Sequence, residues 1–285
     1  MLSLLIASAL AFSEADAHIA YKAADGLVSH HTPRDAGTFR GRAAANYILD
    51  TASSVGADAK IDSFIAPSPL GLRSFTNVAA EWVANPTSKW IVVVSHYDTK
   101  HGVPCPGAND GASTSGLLVG LSNALTDWRT PSCNVMLQWL DAEECVHSYL
   151  ENDGFQGSKH AAASLKASGK DVAAVICVDM LGDRDLRIGI PRNSSAELRK
   201  IALKAASATG NADKVYEMEE LVKDDHMPFQ DIGFRSIDLI DFCYGSAPGL
   251  NDYWHTPDDT IDKISERSLL ISGQLVCEMI NLLSR

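Results

Sequence analysis

The sequence predicts one α/β domain, built on a mostly parallel, mixed central sheet with helices on both faces. Three observations lead there. Strand-like apolar runs alternate with amphipathic stretches along almost the whole chain. That order suits a parallel sheet whose crossovers are helices. One run, Trp90-Ile91-Val92-Val93-Val94, is continuously apolar and β-branched at its core, as expected of a strand covered on both faces. No Pro/Ser-rich tract, charge run, low-complexity segment or repeat divides the 285 residues, so a single large core is expected.

The elements follow in order. Residues 13–29 and 38–55 read as helices. Thr38 suits an N-cap, and Ala43, Tyr47 and Ile48 fall on one side of the second. Residues 58–65 and 75–84 read as strands, followed by the run from Trp90. A Gly/Pro-rich loop spans Lys100 to Gly111 and leads into a helix over 112–126. Then come strand 133–140, loop 141–156, helix 157–168, and strands 172–180 and 185–190. Helix 195–208 precedes a loop at 218–225, a short helix and strand 236–241. A long loop over 242–262 leads to a last amphipathic helix, 265–284, in which Leu269, Val276 and Leu283 recur every seven residues.

The N-terminus, Met1 to Ala11, is apolar and ends small-x-small at Ala9-Leu10-Ala11. It has the form of the core and cleavage site of a secretory signal without its basic leader. On that reading the mature domain covers 12–285 and is exported, periplasmic or secreted. A buried first helix is the other reading. No stretch reaches the roughly 20 apolar residues of a membrane span. The formal net charge is −12, which argues against a nucleic-acid surface, because that needs clustered Lys and Arg. Six cysteines show no CxxC pair or zinc-ribbon spacing, and no pairing can be deduced from them.

Ligands of open α/β sheets bind beyond the carboxyl ends of strands. His96, Asp110, Glu143, Glu144, Asp179 and His255 all fall at or just past such ends. Histidine nitrogen and carboxylate oxygen are zinc donors. His96, Asp110, Glu144, Asp179 and His255 could hold two ions sharing one carboxylate. Asp98 is placed to receive the other ring N–H of a metal-bound His96. Glu143, beside a ligand but free, could carry a proton. Taken singly, each has a plain alternative: a histidine after a strand is ordinarily structural, and Asn109-Asp110-Gly111 alone is a turn.

The full set resembles metallopeptidase family 28, the zinc aminopeptidases whose fold also carries the glutaminyl cyclases. The residues are His96-Tyr97-Asp98, Gly107 to Ser113, Glu143-Glu144, Gly157-Ser158, Val178-Asp179-Met180, Asp225-His226-x-Pro228-Phe229 and Trp254-His255-Thr256. Similarity to the aminopeptidases implies two zinc ions, one on His96 and Asp179, one on Glu144 and His255, with Asp110 bridging and Glu143 as general base. Similarity to the cyclases implies one zinc, on Asp110, Glu144 and His255, with Glu143 moving a proton from the substrate α-amine to departing ammonia. Either way the substrate is the free N-terminus of a peptide or protein.

Three features lean toward the cyclases. Asp224 stands where the family's aminopeptidases usually carry serine, and could share a proton with Asp179. Thirteen positions separate Glu144 from Gly157, a longer loop than in simple aminopeptidases. Trp254 precedes His255, as in the cyclases, where it walls the pocket for the glutamine side chain. Two features depart from that pattern: Tyr149 stands where animal cyclases carry tryptophan, and Asp183-Arg184 follows Gly182 where they continue Ala-Pro.

Overall fold

Every residue of the central strand, Trp90–His96, is buried, and the rest of the sheet grows outward from it. The computed structural model describes residues 9–128 and 131–285. The stretch from Met1 to Ser8, most of the apolar N-terminus, lies outside the described residues.

Helices α1 (Glu14–His31) and α2 (Phe39–Ser54) come first, then strands β1 (Ala59–Ser68), β2 (Gly71–Trp82) and β3 (Trp90–His96). Helix α3 (Thr114–Asp127), β4 (Asn134–Leu140), α4 (Gln156–Ala167) and β5 (Val172–Asp179) follow. The remainder is β6 (Ile188–Ile190), α5 (Ala196–Ala208), β7 (Val215–Glu217), α6 (His226–Asp231), β8 (Ser236–Ile240) and α7 (Glu266–Leu283). The eight strands are ordered β1-β2-β4-β3-β5-β8-β6-β7. The β4-β3-β5-β8 centre is parallel. The β1–β2, β2–β4 and β8–β6 ladders are antiparallel, which makes the sheet mixed.

Alternation along β3 explains the two layers. Ile91 and Val93 point into a core shared with α1, α2, α3, α5 and α7. Trp90, Val92 and Val94 point into a smaller one shared with α4 and Phe229 of α6. Thr38 caps α2 as expected, its Oγ1 accepting from Gly41 N at 3.1 Å. The buried side of that helix is Ala44, Ala45, Ile48 and Ala52, while Ala43 and Tyr47 are only half-buried.

Four strands differ from expectation. Strands β1 and β2 run on to Ser68 and back from Gly71, closing a two-residue turn. Ile65 and Leu72 in this arm are exposed, so cross-strand hydrogen bonds hold it and no core pattern marks it in the sequence. Of the stretch 185–190 only Ile188–Ile190 pairs, because Arg187 N donates instead to the Asp241 carboxylate at 2.7 Å. Strand β7 went unpredicted, having three residues of which only Val215 is buried.

All six cysteines are unpaired. Among the described residues no helix is long and apolar enough to cross a membrane. The segment leading into α1 is anchored to α7: Leu10 is buried, its N–H donating to Asn281 Oδ1 and its carbonyl accepting from Asn281 Nδ2, both at 2.9 Å.

Candidate metal centre

His96 is the last residue of β3 and Asp179 the last of β5. Glu143 and Glu144 lie three and four residues past the end of β4. Because β4, β3 and β5 are parallel neighbours, these residues meet at one edge of the sheet. Asp110 arrives there on the loop before α3, and His255 on the loop after β8.

The geometry centres on Asp110. Its Oδ1 lies 3.0 Å from His96 Nε2, and its Oδ2 lies 3.2 Å from His255 Nε2. His96 Nε2 is also 3.1 Å from Asp179 Oδ1, and His255 Nε2 is 2.7 Å from Glu144 Oε1. Two triads result, His96-Asp110-Asp179 and Asp110-Glu144-His255, each with its ligand atoms within 4.8 Å of one another. The five residues proposed from sequence as ligands are thus brought together, with Asp110 common to both sets.

The surroundings hold Asp110 in place. Asp259 accepts from Asn109 N at 2.7 Å, Asp110 N at 3.2 Å and Tyr244 Oη at 2.6 Å. Gly111 lies so close to His96 that a Cβ there would come within 2.6 Å of Nε2, which excludes every other residue. The Asp110–Gly111 peptide is cis. The fully buried guanidinium of Arg34 donates to the carbonyls of Tyr97, Pro106 and Gly107, each at 2.8 Å. It therefore ties together the two ends of the loop joining Asp98 to Asp110. Neither Arg34 nor Asp259 stood out in the sequence; each acts through backbone atoms far away along the chain.

Asp98 lies beneath His96, Oδ1 to Nδ1 at 3.5 Å. Its stronger contacts are with the glutamate pair, as it accepts from Glu143 N at 3.1 Å and Glu144 N at 3.2 Å. Ala142, Met180 and His255 have φ of 58°, 56° and 57°. Side chains rarely adopt this left-handed region, which costs on the order of 1–3 kcal/mol and persists only where packing imposes it. Each is a candidate ligand or lies within two positions of one.

The long loop after Glu144 is ordered by hydrogen bonds. Asp153 accepts from Val146 N, His147 N and Ser148 N at 2.5–2.9 Å. Phe155 N donates back to the Glu143 carbonyl at 3.0 Å. Tyr149 stacks on Phe155 with ring centroids 4.5 Å apart. Burial, then Glu143 and Glu144, raise its phenol above the ordinary range, and its ring centroid lies 5.7 Å from Lys100 Nζ, which donates to Glu144. Trp254 stacks on His255 at 4.0 Å and meets Phe242 edge-on at 5.7 Å.

The carboxyl groups are crowded. Burial, and after it Glu144, pushes Glu143 well above the usual range. Burial raises Asp179 to about 6, and burial with Asp179 raises Asp224 to about 7. Burial opposes charge on His255, yet Asp110 and Glu144 outweigh it and lift the ring to about 9. So many buried acidic groups around two imidazoles call for added positive charge. The donor set, nitrogen and carboxylate oxygen, suits zinc.

Residues 77–280 match Peptidase family M28. The chain is 26% identical over 264 residues to the glutaminyl-peptide cyclotransferase-like protein of Bos taurus, covering 82% of this chain and 67% of that one. It is 26% identical over 200 residues to a probable leucine aminopeptidase of Arthroderma otae, covering 67% and 53%. It superposes on the crystal structure of an Acidobacteriales bacterium glutaminyl cyclase with a TM-score of 0.87 and 30% identity, over 100% of this chain and 98% of that one.

The shared position of Asp110 makes a test. Asp110→Ala should abolish tight zinc binding altogether, whereas Asp179→Ala should spare binding at the Glu144-His255 side. Zinc per chain after dialysis against a weak chelator reads the difference, and equal losses would mean the two triads are not separate.

Proposed function

The chain belongs to peptidase family M28, and on that premise we propose that this enzyme cyclises N-terminal glutamine of peptides to pyroglutamate with release of ammonia. The observation that carries this is Asp224. It is buried at 3% exposure near Asp179, where the family's aminopeptidases usually have serine. Its Oδ1 accepts from Asp225 N and from Cys177 Sγ, and its Oδ2 has no partner. Asp238 also lies within 4.8 Å of Asp224; neighbouring buried carboxyls resist joint ionisation, and on this reading that makes Asp179, whose charge raises Asp224, a poor second-ion ligand.

The residues then divide the work. A zinc ion held by Asp110, Glu144 and His255 would supply Lewis-acid polarisation of the substrate carboxamide. Asp179 and Asp224 orient the α-amine. Trp254 and Tyr149 wall the glutamine side chain. Glu143 takes a proton from the amine as its nitrogen bonds to the carboxamide carbon, and delivers it to the departing nitrogen, which leaves as ammonia.

A second reading, a two-zinc aminopeptidase, is favoured by the His96-Asp110-Asp179 triad, which is as tightly gathered as the other. There Glu143 would take a proton from the attacking water. Mass spectrometry separates the two. A Gln-initiated peptide should lose ammonia while a Leu-initiated one stays intact; loss of a whole residue would replace the cyclase reading with the aminopeptidase one.

Two substitutions probe the roles. Glu143→Gln should cut turnover by at least about 10²-fold with zinc content unchanged; zinc loss would make Glu143 a ligand. Asp224→Ser should lower cyclisation by a similar factor, and an unaltered rate would remove the main support for that branch.

We also read Met1 to Ala11 as belonging to an export signal. Cleavage there would remove Leu10 and its two hydrogen bonds to Asn281. An exported chain with intact mass beginning near Phe12 is expected; one retaining Leu10 would argue that the segment belongs to the fold.

A further inference from the structure

Glu144 has two carboxylate oxygens, and they face different partners. Oε1 lies 2.7 Å from His255 Nε2, inside the Asp110-Glu144-His255 triad. Oε2 accepts from Lys100 Nζ at 3.3 Å. The same ammonium donates to the carbonyl of Cys145 at 2.8 Å and lies 3.0 Å from its Sγ. It also sits 5.7 Å from the ring centroid of Tyr149. All three donors of the ammonium thus have acceptors on two consecutive residues.

This is not a surface ion pair. The Glu144 side chain is 2% exposed and that of Lys100 17%, so little solvent is available to replace either partner. Removing one partner of a buried charge pair leaves the other charge uncompensated. Lys100 lies two residues past Asp98, whose carboxylate accepts from the Glu144 N–H at 3.2 Å. One short segment therefore grips Glu144 at its backbone and at the far side of its carboxylate.

We propose that Lys100 is a positioning residue for the metal site: it holds Glu144 Oε2 while Oε1 faces His255 in the triad that would hold zinc, and it fixes the start of the loop that carries Tyr149. This rests on the reading that Glu144 is a zinc ligand. Partners of this kind, behind a ligand, typically set 10- to 100-fold in metal affinity. Lys100 acts on Glu144 and not on substrate, so its removal should show in zinc retention more than in turnover at saturating zinc.

The test is zinc affinity by chelator competition in the full chain, with thermal unfolding of the metal-stripped protein measured alongside. Lys100→Met should bind zinc about 10- to 100-fold more weakly, and its metal-stripped melting temperature should also fall, because Glu144 is left uncompensated. Lys100→Arg, which keeps charge and donors, should recover most of the loss. Should the Met variant fold poorly, Lys100→Gln takes its place. In a Glu144→Gln background, Lys100→Met should add nothing. Unchanged or tighter zinc binding by Lys100→Met overturns the inference, as does equal loss in the Met and Arg variants. If Glu144→Gln itself keeps zinc at full affinity, it is the ligand assignment of Glu144 that fails.

Discussion

Asp110 is shared between two histidines, and much of the site's architecture exists to keep it there. A carboxylate with His96 on one oxygen and His255 on the other must be held from behind, through its backbone. Asp259 does this by accepting from two successive N–H groups, those of Asn109 and Asp110. Gly111 leaves room for the His96 ring. Arg34 closes the loop that delivers Asp110 by gathering three carbonyls. The planar fork of a guanidinium suits that task better than an ammonium.

The sheet supplies the other half of the arrangement. Parallel pairing of β4, β3 and β5 puts three strand ends side by side, so that residues 96, 143, 144 and 179 become neighbours. Asp98 then links β3 to the loop after β4, accepting from the backbone of both glutamates. So much buried acid calls for an offsetting cation, which marks the edge as a candidate metal centre. Residues in left-handed conformations at Ala142, Met180 and His255 show that the surrounding packing tolerates local strain to present these side chains.

The family's two named activities, cyclotransfer and aminopeptidase hydrolysis, can use the same cradle of donors. What differs is the company it keeps. Here a buried carboxyl, Asp224, lies near enough to Asp179 to feel its charge, and a loop folded around Asp153 carries Tyr149. Each bears on which atom attacks the substrate: a carboxyl pair that holds a proton can receive an amine, whereas a free Asp179 can hold a second ion.

Much of this was legible in the chain. The continuous apolar run of β3 marks a strand buried on both sides, and period-3.6 patterns mark the long helices. The ligand types could be read because each follows such a strand in sequence. The extension of β1 and β2 to their shared turn and the three-residue β7 were not legible, since neither leaves an apolar periodicity. Arg34, Lys100 and Asp259 were not legible either. An arginine after a proline, a lysine in a Gly/Pro-rich loop and an aspartate in an acidic stretch read as ordinary surface charge. Their meaning lies mostly in backbone and side-chain atoms 44 to 150 positions distant. Side-chain chemistry and local periodicity, properties of residues and their near neighbours, were thus determined by the sequence alone. Which oxygen faces which partner was decided only by the tertiary structure, because that depends on how distant loops meet at the edge of the sheet.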